Sequence, residues 1–344
     1  MNERQAAEPG ASNAGAAREA GGNGCRPPSV SVVVVNYNGE QFLGPCLESL
    51  LGQTCGEAEI IVVDNMSTDD SIRGIPEKYP SVTLIRNSSN LGFAAGCNAG
   101  IRASHGDYIL TLNHDTRLSP TFIDHIARPM HEDPAVGICA SKMVFPDGRI
   151  NSAGLCIAMS GASWNRGMFE QDSGQYDRPQ EVFGACAGAA LYRRSMLEEA
   201  GLFEEGFFLF FEDVDISLRA GFSGWSCKYV PSAVAIHAHG ASVRYKSDTA
   251  VFYGNRNMLL NVVKNYPIPW LALCMPWIVG RNLGNILYYG AKGRGAVVLR
   301  AKAEALKTLP QFIRKRRAQN KRLSSTRALG MWLRTWAPFQ ENSG

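Results

Sequence analysis

Five consecutive apolar residues, Phe207 to Phe211, lead directly into Glu212, Asp213 and Asp215. Carboxylates at the edge of such a patch lose hydration when charged, and this lifts their pKa towards the range a general base needs. Val214, Ile216, Leu218 and Ala220 follow at helical spacing, so Asp213 falls where a helix would begin, with free backbone N–H groups to hold its carboxylate. The same residues also admit a purely structural role. In it, Asp213 caps the helix and Asp215 pairs with Arg219 one turn later.

Other polar groups close apolar runs. Asp64 ends Glu59-Ile-Ile-Val-Val and could accept hydrogen bonds from ribose hydroxyls or a base N–H, or simply form an Asx turn. Asn113-His114-Asp115 follows Tyr108-Ile-Leu-Thr-Leu112 and puts oxygen ligands on a short turn, which suits a hard divalent cation that also binds a diphosphate. His237 and His239 close the run Ala233-Val-Ala-Ile; two apart on a continuing strand, they face one side and point to a ligand.

Strands must carry these residues. Ser29 to Asn36 is a β-branched run without charge, as expected of a strand buried on both faces of a parallel sheet, and it ends in the turn Asn36-Tyr-Asn-Gly39. A helix with Phe42, Cys46, Leu47, Leu50 and Leu51 on one face follows. Glu59 to Asp64 repeats the design and is followed by the helix-capping types Ser67, Thr68, Asp69 and Asp70. Further strands are predicted at Val82 to Ile85, Tyr108 to Leu112 and Tyr229 to Ile236, and a small-residue helix opens between Asn90 and Asn98 and runs to about Ser104. Alternation at this spacing means βαβ units in a doubly wound sheet, which binds ligands outside the carboxyl ends of its strands. Asn36, Asp64 and Asn113 to Asp115 all fall at such ends. No GxGxxG follows a strand and no GxxxxGK[ST] occurs, which argues against a dinucleotide oxidoreductase or a P-loop kinase.

The 344 residues suffice for one large α/β domain with an appendage. The net charge of +4 hides an asymmetry: residues 292–334 hold 13 Lys and Arg against Glu304 alone, while residues 1–290 hold 22 basic and 29 acidic residues. Basic character is thus a property of the tail. Nine scattered cysteines with no CxxC pair read as reduced cytoplasmic thiols, and residues 1–28 lack the apolar segment of a secretory signal. That leader is expected to be disordered.

Seven blocks in order, VSVVVVNYNG, IIVVDNMSTDDS, RNSSNLGFAAGCNAG, YILTLNHDT, GACAGAALYRR, FFLFFEDVDISLRAG and IHAHGAS, resemble glycosyltransferase family 2, and within it the bacterial rhamnosyltransferase-like branch. The resemblance covers about residues 30–245. It implies a GT-A fold, with a Rossmann-like nucleotide-binding half and an acceptor half, that uses a nucleotide-diphospho-sugar donor with Mg²⁺ or Mn²⁺ and inverts the anomeric carbon in one displacement. On this pattern Asp64 corresponds to the base-binding acid, Asn113 and Asp115 to the DXD motif, and Asp213, beside Glu212, to the catalytic base. His237 corresponds to the later metal ligand, with His239 as its alternate, and Asn113 stands where the motif has its first Asp. Asn36, Asn90 and Asn98 join the donor nucleotide side, and Gly184, Ala185 and Arg193 the acceptor side.

Pro267 to Ala291 carries one charge, Arg281, and is rich in Trp and Tyr; its uncharged part is too short to span a bilayer, and Pro276 interrupts it. A helical hairpin lying in the membrane interface is expected, with the basic stretch around Arg314 to Arg317 facing anionic headgroups on the cytoplasmic side. Packing onto the protein's own surface, including at a homodimer contact, is the alternative, and nothing marks the tail as a nucleic-acid binder. The expected organisation is a leader (1–28), a GT-A domain (29–265) and a helical extension (266–344), serving a glycan or lipid-linked acceptor. A sugar-nucleotide-binding regulator without turnover is the reading from a different class. Among sugars, dTDP-linked L-rhamnose is favoured by the resemblance.

Overall fold

The computed structural model describes residues 29–54, 58–238, 247–319 and 332–335. The expected disordered leader and His239 lie outside these residues. The chain opens with strand β1 (Val30–Asn36), helix α1 (Leu43–Leu51), β2 (Glu59–Asp64), the short α2 (Ile75–Lys78), β3 (Val82–Arg86), α3 (Gly92–Ala103) and β4 (Tyr108–Asn113). β1 lies between β2 and β4, parallel to both. Its valines alternate between two layers: Val32 and Val34 pack with Leu43 and Leu47 of α1, while Val33 and Val35 meet Ala94, Cys97 and Ile101 of α3. The small residues of α3 let that helix sit close on the sheet. A Cβ at Gly96 or Gly100 would come within 2.8 or 2.3 Å of Val35 or Val33.

The turn after β2 departs from expectation. Ser67, Thr68, Asp69 and Asp70 precede a loop, and the helix there is only the four residues of α2. The capping side chains instead bind the neighbouring turn: Ser67 Oγ accepts from the Asn38 amide at 2.9 Å, and Asp69 from the Glu40 amide at 2.9 Å.

After β4 come β5 (Thr116–Leu118), α4 (Phe122–Glu132), β6 (Val136–Val144), β7 (Ile150–Ser152), β8 (Leu155–Ala158), β9 (Ser163–Asn165), β10 (Gln180–Glu181) and β11 (Ala189–Arg193). Then follow α5 (Arg194–Ala200), a 3₁₀ turn at Glu205–Phe207, α6 (Glu212–Phe222) and β12 (Ser226–His237). The main sheet runs β10-β12-β6-β11-β4-β1-β2-β3, with β5 on β12 and β7 on β6. Its centre is parallel except for β11, which inserts antiparallel between β4 and β6.

The C-terminal part is α7 (Asp248–Asn265), α8 (Ile268–Ala291), α9 (Gly295–Gln319) and a short β13 (Leu333–Arg334) that pairs with β8. The hairpin expected within Pro267 to Ala291 is not formed; that segment is one continuous helix, and the chain reverses after it, at Lys292–Arg294. Pro276 is tolerated because Ala272, whose carbonyl it cannot serve, lies on the exposed face. Only Cys274, Ile278 and Asn285 of α8 are buried. No described helix is long and apolar enough to cross a membrane. α7 and α9 pack on the half that carries α6, where the Phe207 and Phe312 rings lie 5.4 Å apart and tilted by 38° inside a cluster with Leu260 and Ala305.

Candidate active site

The carboxyl ends of β1 and β4, the end of β12 and the start of α6 open into one cavity of about 960 Å³. That is near the upper end of the roughly 300–1,000 Å³ of small-molecule sites. Asn113, Asp115 and His237 line it from the sheet, Glu212 and Asp213 from α6, and Asn90 from the loop before α3.

Asp115 sits in the turn between β4 and β5 because His114 folds inward, its Nδ1 3.1 Å from the Val35 carbonyl. β5 pairs with the end of β12, Thr116 opposite His237, and this brings the imidazole to the turn. His237 Nε2 lies 3.1 Å from Asp115 Oδ1 and 3.2 Å from Asn113 Nδ2, while its Nδ1 lies 3.1 Å from Asn151 Oδ1. A carbonyl oxygen only accepts, so Nδ1 carries the proton and Nε2 is turned to Asp115. This arrangement of a fixed ring with a carboxylate beside its second nitrogen is that of a histidine ligand held by an outer partner. Among the described residues no group of three or more His, Cys, Asp or Glu could enclose a metal alone. Asp115 and His237 fit Mg²⁺ or Mn²⁺ where substrate phosphate oxygens complete the shell.

Across the cavity, α6 begins at Glu212. Asp213 is half-buried, and its Oδ1 accepts from the Val214 amide at 2.8 Å. Burial pushes its carboxyl up to about 6, with hydrogen bonds from the Val214 and Ala187 amides limiting the rise. Glu212 is buried and raised further, by desolvation and by the neighbouring Asp213 charge. Its Oε2 finds no hydrogen-bond partner among the described residues. Of the two, Asp213 is therefore the group that ionises near neutral pH.

The loop before α6 has Phe208, Phe210 and Phe211 at positive φ (66°, 64° and 72°), a conformation non-glycine residues rarely hold without support. Support comes from α7: Asn257 Nδ2 donates to the carbonyls of Phe207, Leu209 and Phe210 at 3.0, 2.8 and 2.9 Å. Arg256 donates to the Gly206 carbonyl at 3.0 Å. Beneath the helix Asp215 is fully buried, paired with Arg219 at 2.7 Å and Lys264 at 2.6 Å. Burial alone would raise Asp215, but these two cations outweigh it and hold the carboxyl down to about 2. Asp215 thus takes the structural role open to it from the sequence, while Asp213 lies inside the helix rather than capping it.

Several expected site residues lie behind the cavity wall. Asn36 and Asp64 are buried and face each other at 3.0 Å, with Asp64 also accepting from the Ser67 hydroxyl at 2.5 Å. Asn98 is spent on the loop before α6, exchanging hydrogen bonds with Phe203 at 2.8 and 3.0 Å. Gly184 packs on Ser217, where a Cβ would lie 2.2 Å from its hydroxyl, and Ala185 is fully buried in the core. Arg193 is not on the acceptor side: its guanidinium donates to the carbonyls of Val136, Met130 and Asp133 and closes the turn before β6. In place of Ala185, the cavity is reached by Cys186, Ala187 and Gly188. In place of Asp64 it is reached by Asn65, which donates to the Gly92 carbonyl at 2.9 Å. Strand alternation was the available signal, since residues 64 and 65 must point to opposite layers. Residues of α7 and α8 complete the lining, and no sequence motif marked them.

A mostly parallel sheet with one inserted antiparallel strand, an Asp–His pair at its carboxyl edge and a raised carboxylate opposite define a glycosyltransferase of the GT-A architecture. The chain carries a glycosyl transferase family 2 domain, whose model matches residues 31–201. It is 29% identical over 230 residues to an N-acetylglucosaminyl-diphospho-decaprenol L-rhamnosyltransferase of Mycobacterium tuberculosis, a match covering 60% of this chain and 75% of that protein. Among solved structures, GalNAc-T7 with UDP, GalNAc and Mn²⁺ superposes with a TM-score of 0.55 at 18% identity, covering 69% of this chain and 48% of that one. The mannosyltransferase PcManGT of Pyrobaculum calidifontis, in complex with GDP-Man and Mn²⁺, superposes with a TM-score of 0.51 at 17% identity, covering 85% of each chain. At these identities the two superpositions establish the fold.

Proposed function

We propose that this protein transfers a sugar, L-rhamnose by likeness to the mycobacterial relative, from a nucleotide-diphosphate donor to a hydroxyl of a lipid-linked or polysaccharide acceptor, with inversion. One observation carries the reading: Asp213, raised to about 6, faces the same cavity as the Asp115–His237 pair. At neutral pH Asp213 is ionised and takes the proton of the acceptor hydroxyl as that oxygen bonds to the anomeric carbon. The bond from that carbon to the diphosphate breaks in the same displacement, and the leaving group departs towards Asp115 and His237. Asp115 and His237 would hold Mg²⁺ or Mn²⁺, whose positive charge would stabilise the departing diphosphate. Burial and the Asp213 charge push the Glu212 carboxyl up, which disfavours a second negative charge beside the base. Asn65, Asn90 and Asn113 serve the donor, and Asp64 acts on it through the Asn36–Ser67 turn that it organises.

The work is proposed to take place at the cytoplasmic face of the plasma membrane. The outer face of α8 supports this, with Ile268, Met275, Val279, Leu283 and Leu287 exposed along one stripe and basic residues following in α9. The test is a thermal-shift panel of nucleotide sugars with and without Mn²⁺, followed by transfer of labelled sugar to an N-acetylglucosaminyl-diphospho-lipid. A Mn²⁺-dependent shift with dTDP-rhamnose and label in the lipid fraction are expected. A panel in which no nucleotide sugar shifts the melting point would overturn the reading.

A further inference from the structure

Part of the cavity wall is made by the C-terminal helices and is cationic. Arg281 of α8, and Lys292 and Arg294 of the α8–α9 turn, line it together with Tyr288 and Tyr289. Lys292 and Arg294 are held in place, and Arg281 is half-buried. Arg281 lies between Ile278 and Asn285 on the inward face of α8, and the Asn285 amide donates to Asn255 Oδ1 of α7 at 2.9 Å. Lys292 donates to the Tyr288 hydroxyl at 2.7 Å with its ammonium 4.4 Å from that ring's centre. The Arg294 amide donates to the Tyr289 carbonyl at 2.7 Å, and its guanidinium lies 3.4 Å from Asp248 at the start of α7. Behind this wall Lys302 donates to the Asn255 carbonyl at 2.9 Å, and burial, together with the Arg281 charge, pushes it down to about 8.

In a single displacement the attacking hydroxyl approaches opposite the leaving group. With the donor diphosphate at Asp115 and His237, the acceptor enters beside Asp213, on the side walled by α7 and α8. Phe208, packed on Tyr253 of α7 at 5.1 Å, marks how close those helices come to the catalytic loop. An acceptor sugar carried on a lipid diphosphate brings a second group of negative charges about one sugar ring from the reacting hydroxyl. We infer that Arg281, Lys292 and Arg294 form a subsite for the diphosphate of a lipid-linked acceptor, with Tyr288 and Tyr289 flanking the sugar. Guanidinium forks and an ammonium match phosphate oxygens in charge and donor geometry. The lipid chain leaves along α8, whose outward residues, Leu287 among them, are apolar and exposed. The inference rests on the proposed transfer reaction and names the acceptor class for the same cavity.

The experiment measures equilibrium binding to the full-length protein in neutral detergent micelles with EDTA present, so that no cation at Asp115 captures the probe. Geranylgeranyl diphosphate is the probe, geranylgeraniol its uncharged match and phosphatidylglycerol an anionic lipid of other shape. The diphosphate should bind at least about tenfold more tightly than the alcohol, and the triple variant Arg281→Gln, Lys292→Gln, Arg294→Gln should lose roughly that factor. Should the triple variant fail to melt cooperatively, Arg294→Gln alone, at the half-exposed turn, should show a smaller loss of the same kind. Equal binding of diphosphate and alcohol, unchanged binding in the folded variants, or an equal loss for phosphatidylglycerol would overturn the subsite. A parallel thermal shift with dTDP and Mn²⁺ reports on the transferase reading separately. Failure there with intact diphosphate binding would leave the subsite standing and sink the proposed reaction.

Discussion

At the β1–β2 edge, Asn36, Asp64, Ser67 and Ser71 join two neighbouring βα turns through short side chains separated by 28 to 35 residues, mostly by amide and hydroxyl hydrogen bonds. Under the catalytic helix the ties are ionic and long-range: Lys264 reaches Asp215 and Glu204, and Lys315 of α9 reaches Glu204, 111 residues away. Neutral bonds to short side chains lose little when one is deleted, because water or a neighbour replaces them. A buried charge that loses its partner has no such replacement. The catalytic half therefore depends on the C-terminal helices in a way the first half does not. α7 holds both the backbone of the Phe207–Phe211 loop and the charge beneath Asp213.

The largest effect should come from breaking the ionic side. Lys264→Met leaves Asp215 and Glu204 short of a cation in the interior, and a stability loss of about 3–5 kcal/mol is expected from denaturant unfolding. The pH dependence carries the same information. Asp215 titrates at about 2 in the folded protein, below an ordinary carboxyl, so its contribution is complete above about pH 4 and fades as the pH falls towards 2. In Lys264→Met that acid-side loss should be smaller. A variant as stable as wild type would mean the two regions do not differ in this way.

Next comes Asp213→Asn, expected to keep fold and donor binding while transfer falls by about two orders of magnitude. Wild-type kcat/KM should decline below pH about 6, where Asp213 takes up a proton. The stability effect has the opposite sign. A carboxyl whose folded pKa is raised costs stability once the pH passes from about 4 to above 6, so the Asn variant should melt higher than wild type at pH 7.5 and lose that advantage near pH 4. Near-normal turnover in the variant would remove Asp213 from the role of base.

Asn257→Ala tests the neutral part of the α7 support. With three carbonyls released and a loop at positive φ left to relax, kcat should fall about tenfold while KM for the donor stays put. A loss confined to KM would place the effect on binding instead.

What could be read from sequence follows the same division. The strands that begin at Val30, Glu59 and Tyr108 were legible because each is a buried apolar run followed by local turn chemistry, and the strand that begins at Val82 because Val82 to Ile85 are β-branched or apolar, although only Val82 is buried. Asp115 and His237 meet as expected, since both close apolar runs at the sheet's edge. Arg193 was misplaced because a basic residue after a strand looks the same whether it faces a cavity or closes a turn; only the position of the Met130 and Val136 carbonyls decides. The antiparallel insertion of β11 and the docking of α7 and α9 were not legible, because they depend on partners far away in the chain. Pro267 to Ala291 read as membrane-seeking, and α8 does keep an exposed apolar stripe; in α9, Val298, Ala301 and Phe312 are buried, Val298 against α7 and Phe312 against the Phe207 loop, while Leu299, Leu306 and Ile313 stay exposed.

The smallest change sharpens the contrast from the other side. Ser67→Ala removes a hydroxyl that donates to Asp64 Oδ1 at 2.5 Å and accepts from the Asn36 side chain at 3.1 Å and the Asn38 amide at 2.9 Å. The carboxylate keeps two donors, the Asn36 amide at 3.0 Å and the backbone N–H of residue 67 at 3.1 Å, and both survive the substitution. Asn36 likewise keeps Ser71 at 2.9 Å. Each partner of the lost hydroxyl is thus left with another bond or, for the exposed Asn38, with water. A stability loss of about 1 kcal/mol is expected, several-fold below that of Lys264→Met. Its functional trace should be a few-fold rise in KM for the donor at unchanged kcat, because the turn that Asp64 organises borders the donor side and not the base. Steady-state kinetics beside a urea titration separates the two readouts. A loss comparable to Lys264→Met would show that the β1–β2 edge is as tightly coupled as the ionic network, and the contrast between the two halves would fall.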